Sequence, residues 1–209
     1  MNKKFELLLD DTIEVFGRKL FRIKAKINFS IVDAGELGGY IEKEENLSEN
    51  GDAWVSGDAW VYGNARVSGD AWVYGNAWVY DNARVSGDAR VSGDAWVYGN
   101  ARVSGDARVS GNAWVYGNAR VSGNAEVCGN AEVCGNARVT SRKDYIVFKN
   151  SWSSFRWFTY TKSNKMWKVG CFYGTGQELI AKAYQDSKKS GKCYEAYVNL
   201  VLELEKIND

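Results

Sequence analysis

Between residues 51 and 140 the chain alternates apolar and polar residues in short runs, broken by a two-residue polar step every six residues. The unit is Gly-Asp/Asn-Ala-x-Val-y, met fifteen times from Gly51 to Thr140. Ala keeps its place in all fifteen units, from Ala53 to Ala137, and Val in all fifteen, from Val55 to Val139; Gly is broken once, by Asp81. Successive side chains of a strand point to opposite faces, so Ala and Val share one side and x and y the other. Small Ala and branched Val then fill a narrow interior. The Gly-Asp and Gly-Asn steps make corners, where Gly and Asn suit a positive φ. Repetition at a fixed short period predicts stacked units that share one continuous core.

The variable positions sort when read every 18 residues. One set of x residues is Trp60, Trp78, Trp96, Trp114 and Glu132, with Tyr62, Tyr80, Tyr98, Tyr116 and Cys134 at y. A second is Arg66, Arg84, Arg102, Arg120 and Arg138, with Ser68, Ser86, Ser104, Ser122 and Thr140 at y. The third is Trp54, Trp72, Arg90, Arg108 and Glu126. The corner entering the Arg set is Asn in every coil: Asn64, Asn82, Asn100, Asn118 and Asn136. Over these 90 residues the sequence resembles the left-handed β-helix hexapeptide family, in which three hexapeptides make one triangular coil of 18 residues. The resemblance implies a mainly β fold, a left-handed parallel β-helix of five coils, roughly 24 Å long at about 4.8 Å between stacked strands.

The periodicity stops on both sides. Residues 1–50 carry β-type stretches at Phe5–Leu9, Thr12–Phe16 and Lys19–Ile27, with a turn at Gly17-Arg18. Residues 141–209 read as strands at Tyr145–Phe148, Phe155–Thr161 and Met166–Phe172, followed by two helices. The first helix opens on the capping box Thr175-Gly-Gln-Glu178 and should end near Gly191. The second, from about Tyr194 to Ile207, sets Tyr197, Val198, Val201, Leu202 and Leu204 on one stripe. Open ends of a β-helix expose unpaired strand edges that invite aggregation. Residues 1–50 are therefore read as a small β-rich N-terminal cap, 51–140 as the β-helix, and 141–209 as a small α+β C-terminal domain covering the other end.

Composition narrows the setting. A net charge of +1 exerts no global pull toward nucleic acid or membrane. The start, with Glu6, Asp10 and Asp11 around a few apolar residues, is too short and acidic for a signal peptide, and no apolar run reaches membrane-spanning length. Cys128, Cys134, Cys171 and Cys193 have no CxxC spacing and no His beside which to bind zinc, which favours reduced thiols and a cytoplasmic protein.

Most named hexapeptide proteins are acyltransferases, and γ-class carbonic anhydrases form a second group. The resemblance would imply a catalytic His for the first and a three-His zinc site for the second, yet this sequence has no His. Nor does an inserted loop interrupt the period between Gly51 and Thr140 to build a substrate site. The expectation is a protein that is not an enzyme, without cofactor or metal. An unorthodox acyltransferase is the remote alternative.

Two faces are candidate binding surfaces. Trp60, Trp78, Trp96 and Trp114, flanked by Tyr62, Tyr80, Tyr98 and Tyr116, should all point outward. Stacked identical rings stabilise neighbouring strands without any partner. Eight wet aromatics would nevertheless expose on the order of 600 Å², beyond the usual patch on a monomer. A second copy of the face is the simplest cover, in a dimer or trimer, with a host protein or the chain's own terminal segments as rivals. On the other face, five guanidiniums about 5 Å apart repel by roughly 0.8 kcal/mol per adjacent pair even in water. Asp70, Asp88 and Asp106 at the next corner could offset them as ordinary exposed pairs. The alternative is an anion site built on Arg66, Arg84, Arg102, Arg120 and Arg138, since Arg offers planar contacts to phosphate. The edge Tyr98-Gly-Asn100-Ala-Arg102, and likewise Asn82 before Arg84, sets a ring, an amide and a cation in line for a nucleotide or single strand.

Beyond the fold, the segment Glu36-Leu-Gly-Gly-Tyr-Ile-Glu-Lys-Glu-Glu-Asn-Leu-Ser, the run of Gly-Asp/Asn-Ala-Trp/Arg-Val units and the tail Gly170-Cys-Phe-Tyr-Gly-Thr-Gly resemble uncharacterised proteins carried by bacteriophages and prophages. That resemblance implies the cytoplasm of an infected or lysogenic bacterium. It suits a binding protein that blocks a host defence protein, or one that sequesters an anionic signal.

Overall fold

The computed structural model describes residues 3–208. It divides into two compact units, Met1–Asp144 and Tyr145–Asp209.

In the first unit the fifteen repeats give fifteen two-residue strands, β4 (Trp54–Val55) through β18 (Arg138–Val139), stacked in three parallel columns. Register is strict: Trp60 lies beside Trp78, Arg66 beside Arg84 and Trp54 beside Trp72. Every repeat Ala and Val is at most 1% exposed, and each fully buried Val adds roughly 1.5–3 kcal/mol. The interior is therefore a dry stack of two residue types, and the architecture is a parallel β-solenoid. At the corners the repeat glycines have φ between +61° and +73°, and Asp81 adopts +59° in the same place. Crowding adds to the dihedral demand: a Cβ on Gly99 would lie 3.1 Å from the Gly117 nitrogen in the next coil.

The solenoid begins before its repeats do. Strand β3 (Leu37–Ile41) pairs parallel with β5 (Trp60–Val61), setting Tyr40 beside Trp60 and Ile41 beside Val61. Leu47 then bridges to Val67 on the next side. The structure thus has about six turns rather than five, the first made from residues expected to form a separate cap. No Gly-Asp-Ala-x-Val unit marks this turn, but the backbone approach is the same. A Cβ on Gly39 would meet the Ala59 carbonyl oxygen at 2.7 Å.

Strands β1 (Phe5–Val15) and β2 (Arg18–Ala25) form an antiparallel hairpin that joins β3, so the aromatic column is part of one eight-stranded sheet. The stretches expected at Phe5–Leu9 and Thr12–Phe16 are one strand whose register shifts between Leu8 and Thr12. The turn falls one residue earlier than expected, on Phe16 (φ +48°) and Gly17 (φ +73°).

The second unit is a meander of β19 (Tyr145–Lys149), β20 (Trp157–Thr161), β21 (Met166–Val169) and β22 (Phe172–Gly174), with α1 (Gly176–Asp186) and α2 (Lys188–Asn208). Gly170, at φ +54°, splits the strand expected over Met166–Phe172. Phe158, Tyr160, Trp167, Leu179, Tyr194, Val198 and Val201 make its core. The Thr175 capping box forms as expected: the Thr175 hydroxyl accepts from the Glu178 N–H, and the Glu178 carboxylate accepts from the Thr175 N–H at 2.8 Å. Gly191 does not end α1. It lies inside α2, where a Cβ would come within 2.3 Å of the Tyr184 ring, so the glycine marks a close helix contact instead of a stop. No helix of the described residues is long and apolar enough to cross a membrane.

Candidate functional site

On the aromatic face the indoles of Trp60, Trp78, Trp96 and Trp114 stack with centroids 4.4, 4.6 and 5.1 Å apart. Tyr62, Tyr80, Tyr98 and Tyr116 form a second stack at 4.9–5.0 Å with planes within 3° of parallel. The cause is the parallel register: identical residues on adjacent strands sit at strand spacing, close to the preferred separation of stacked rings. Ring faces in the middle of each stack are thus spent on one another, and mainly edges meet solvent. Burial, with neighbouring tyrosines adding, raises the Tyr80 hydroxyl above its ordinary pKa. Tyr62 and Tyr98 are each pushed up to about 12 by burial first and nearby acidic groups second.

The face is not fully open. The hairpin tip folds over its first coils: Val15 and Leu20 pack with Tyr40 and Tyr62, and Ile13, Trp60 and Tyr80 flank that cluster. Tyr62, expected in solvent, is 6% exposed for this reason. Arg18 holds the tip down through Glu42 at 2.8 Å, and the other Glu42 oxygen accepts from the Gly63 N–H at 2.6 Å. Phe16 meets Trp78 edge-on at 6.1 Å while remaining 80% exposed. Trp54, expected on an outer face, is fully buried, its ring met edge-on by Phe29 at 5.3 Å. Cover by the chain's own terminal segments was one of the alternatives the sequence left open; that the hairpin supplies it was not read, although apolar Ile13, Val15 and Leu20 around a tight turn were the available signal.

On the Arg face all five guanidinium-bearing residues, Arg66, Arg84, Arg102, Arg120 and Arg138, are exposed and in register. The expected offset by the next corner does not take the form of ion pairs. Among the described residues no carboxylate comes within 4.0 Å of Arg66, Arg84, Arg102 or Arg120. Asp70 instead accepts the Asp52 backbone N–H at 2.9 Å. The Asn corner forms a ladder in which each amide donates to the next oxygen, from Asn64 to Asn82, Asn100, Asn118 and Asn136, at 3.1–3.4 Å. Asn82 and Asn100 are thereby engaged with their own kind. With the Tyr faces stacked as well, the ring–amide–cation edge offers an incoming base little beyond the cation.

At the N-terminal end of this face lies a cleft of about 670 Å³. Arg66, Arg84, Ser68 and Ser86 line one side, and Glu44, Glu45 and Glu49 line the other. The acidic side is held by Asn46, whose amide donates to the carbonyls of Gly63 and Ala65. Among the described residues no disulfide joins the four cysteines; Cys134 is buried, and Cys128 and Cys171 are exposed.

Six stretches, residues 59–75, 77–93, 83–99, 95–111, 101–117 and 113–129, the last five overlapping in succession, match the family model described as YdcK beta solenoid repeat. They coincide with the stacked columns just described. The chain is a β-helix repeat protein. No curated protein matches it. The matched stretches lie wholly inside the solenoid's repeat, so the likeness covers the scaffold and leaves the hairpin and the second unit unmatched.

Proposed function

We propose that this solenoid, a left-handed hexapeptide type of phage origin as its sequence resemblances imply, is a non-enzymatic scaffold that engages a protein surface with its aromatic face. The observation that carries the reading is the strip from Phe16 along Trp78, Trp96 and Trp114. Phe16 is 80% exposed in a left-handed turn conformation, and Trp114 at the far end is 36% exposed. Large rigid aromatics with a fixed geometry are the residues that anchor protein interfaces, because little side-chain entropy remains to be lost. The absence of His and of inserted loops in the sequence favours binding over catalysis. In an infected bacterium, a host defence protein is the target such a scaffold would block.

Light scattering on the wild type and on Trp96→Ser/Trp114→Ser tests the reading. These two rings lie beyond the hairpin's cover, and loss of a twofold interface should turn a dimer into a monomer. A monomeric wild type would assign the face to a host protein, and both proteins would then be compared for partner capture from bacterial lysate. A variant equal to the wild type in both measurements overturns the proposal.

A further inference from the structure

We propose that the Arg face is a track for a linear chain of phosphates, gripped by charge and hydroxyl donors without reading any base. The inference is independent of the aromatic face.

Arg84, Arg102 and Arg120 stand on adjacent strands at about 4.8 Å per step, exposed and, among the described residues, with no carboxylate in ion-pair range. Two residues on, Ser86, Ser104 and Ser122 form a second row on the same face, partly exposed. Two parallel rows of donors with one sign of charge complement a chain that presents oxygen anions at regular intervals, and guanidinium takes phosphate oxygens in pairs. The parallel backbone keeps the cations from spreading, so an incoming polyanion meets a preorganised row. Groups that could read a base are partly engaged: each ladder Asn spends one N–H and one oxygen lone pair on its neighbours, and the mid-stack Tyr faces lie against one another. Recognition by charge alone follows, and it is necessarily salt-sensitive.

The cleft gives the track an end. Glu44, Glu45 and Glu49 face Arg66 and Arg84 from a turn anchored by Asn46, and they repel phosphate at that end. The working stretch therefore runs C-terminally from Arg84.

The test is fluorescence anisotropy of labelled oligothymidylate and oligoadenylate with the full-length chain, and with inorganic polyphosphate as competitor. Equal binding of both oligonucleotides, displaced by polyphosphate, is expected. The slope of log affinity against log salt should be roughly −2 for the three contacts of Arg84, Arg102 and Arg120, at about 0.7 per single-strand phosphate. Arg102→Ser/Arg120→Ser changes only outward side chains; it should weaken binding about tenfold or more and reduce that slope by about 1.4. Glu44→Gln/Glu45→Gln/Glu49→Gln should strengthen binding. An oligonucleotide that resists polyphosphate at equal phosphate concentration assigns the source to nucleic acid, and one that yields assigns it to polyphosphate. Absence of binding at low salt, an unchanged slope in a folded Arg variant, or a tenfold preference between the two bases would each overturn the proposal.

Discussion

The ammonium of Lys4 lies 2.6 Å from the carbonyl oxygen of Ala53, at the point where the solenoid has no earlier strand to offer an N–H. The same ammonium also reaches the carbonyls of Gly51 at 2.8 Å and Ser48 at 3.3 Å. Asn46 serves the Ala65 carbonyl in a like manner at 2.8 Å. At the opposite end the Asp144 carboxylate accepts the Thr140 N–H at 2.6 Å and the Ser141 N–H at 3.0 Å. Side chains thus replace some of the hydrogen bonds that a neighbouring coil would supply, which is one way to close a strand edge.

Lys4→Met should lower the folding free energy by about 1–3 kcal/mol, since buried carbonyls would lose their donor. Urea denaturation measures this. Burial pulls the ammonium down to about 8, against the attraction of Asp52 and Asp70. An unfolded chain titrates this group near 10.4. Between those values the unfolded state binds more protons, so stability from this group rises with pH across that window. In the Met variant the rise should be absent; a rise of equal size would remove Lys4 as its source.

The ladder tyrosines act in the opposite sense. Tyr62, Tyr80, Tyr98 and Tyr116 hold their protons, chiefly because of burial, past the point near pH 10 where an unfolded chain loses them. Their contribution is complete below about pH 10 and lost as the pH climbs toward 12. Denaturation midpoints at about pH 9 and about pH 11 should show the fall, and Tyr98→Phe should make it shallower.

Asp81→Gly should stabilise the solenoid by about 0.5–1 kcal/mol. Asp81 is held at φ +59° where the other corners use Gly, and an L side chain pays for that conformation. The gain is reduced by loss of the contact from the Gly99 N–H to the Asp81 carboxylate, at 3.3 Å. Gly93→Ala, at φ +67° with its Cβ 3.0 Å from the Gly111 nitrogen, should destabilise instead. Thermal melts of the pair check both signs.

Gly191→Ala sets two effects against each other. Helix propensity alone would favour Ala by up to about 1 kcal/mol. The Cβ would, however, enter the Tyr184 ring at 2.3 Å, and overpacking costs about 1–3 kcal/mol. Net destabilisation is expected, relieved when Tyr184→Ala is added. A stabilised single variant would show that the ring moves aside freely.

Much of the solenoid was legible because its rule is local and repeated. Ala53 to Ala137 and Val55 to Val139 needed only the two-residue period to be assigned to the interior, and all are buried. The 18-residue sorting likewise anticipated the Trp, Tyr, Arg and Asn columns that the registers display. The first turn was not legible, since Gly39, Ile41 and Leu47 obey the same spatial demand without the same residues. Helix α1 was recognised at its start, where Thr175 and Glu178 interact locally, and misjudged at its end, where Gly191 answers to Tyr184 seven residues away.

The repeat alone therefore established which residues face inward and which ones stack, because side-chain alternation and coil length are properties of adjacent backbone. What lies over each face needed the three-dimensional fold. Phe16 against Trp78, Phe29 against Trp54 and Lys4 against Ala53 join residues 25 to 62 positions apart in the chain. No periodicity connects them. Phe16 is brought to Trp78 by a hairpin whose Val15 and Leu20 pack over Tyr40 and Tyr62, a contact made only once the chain has folded back on itself.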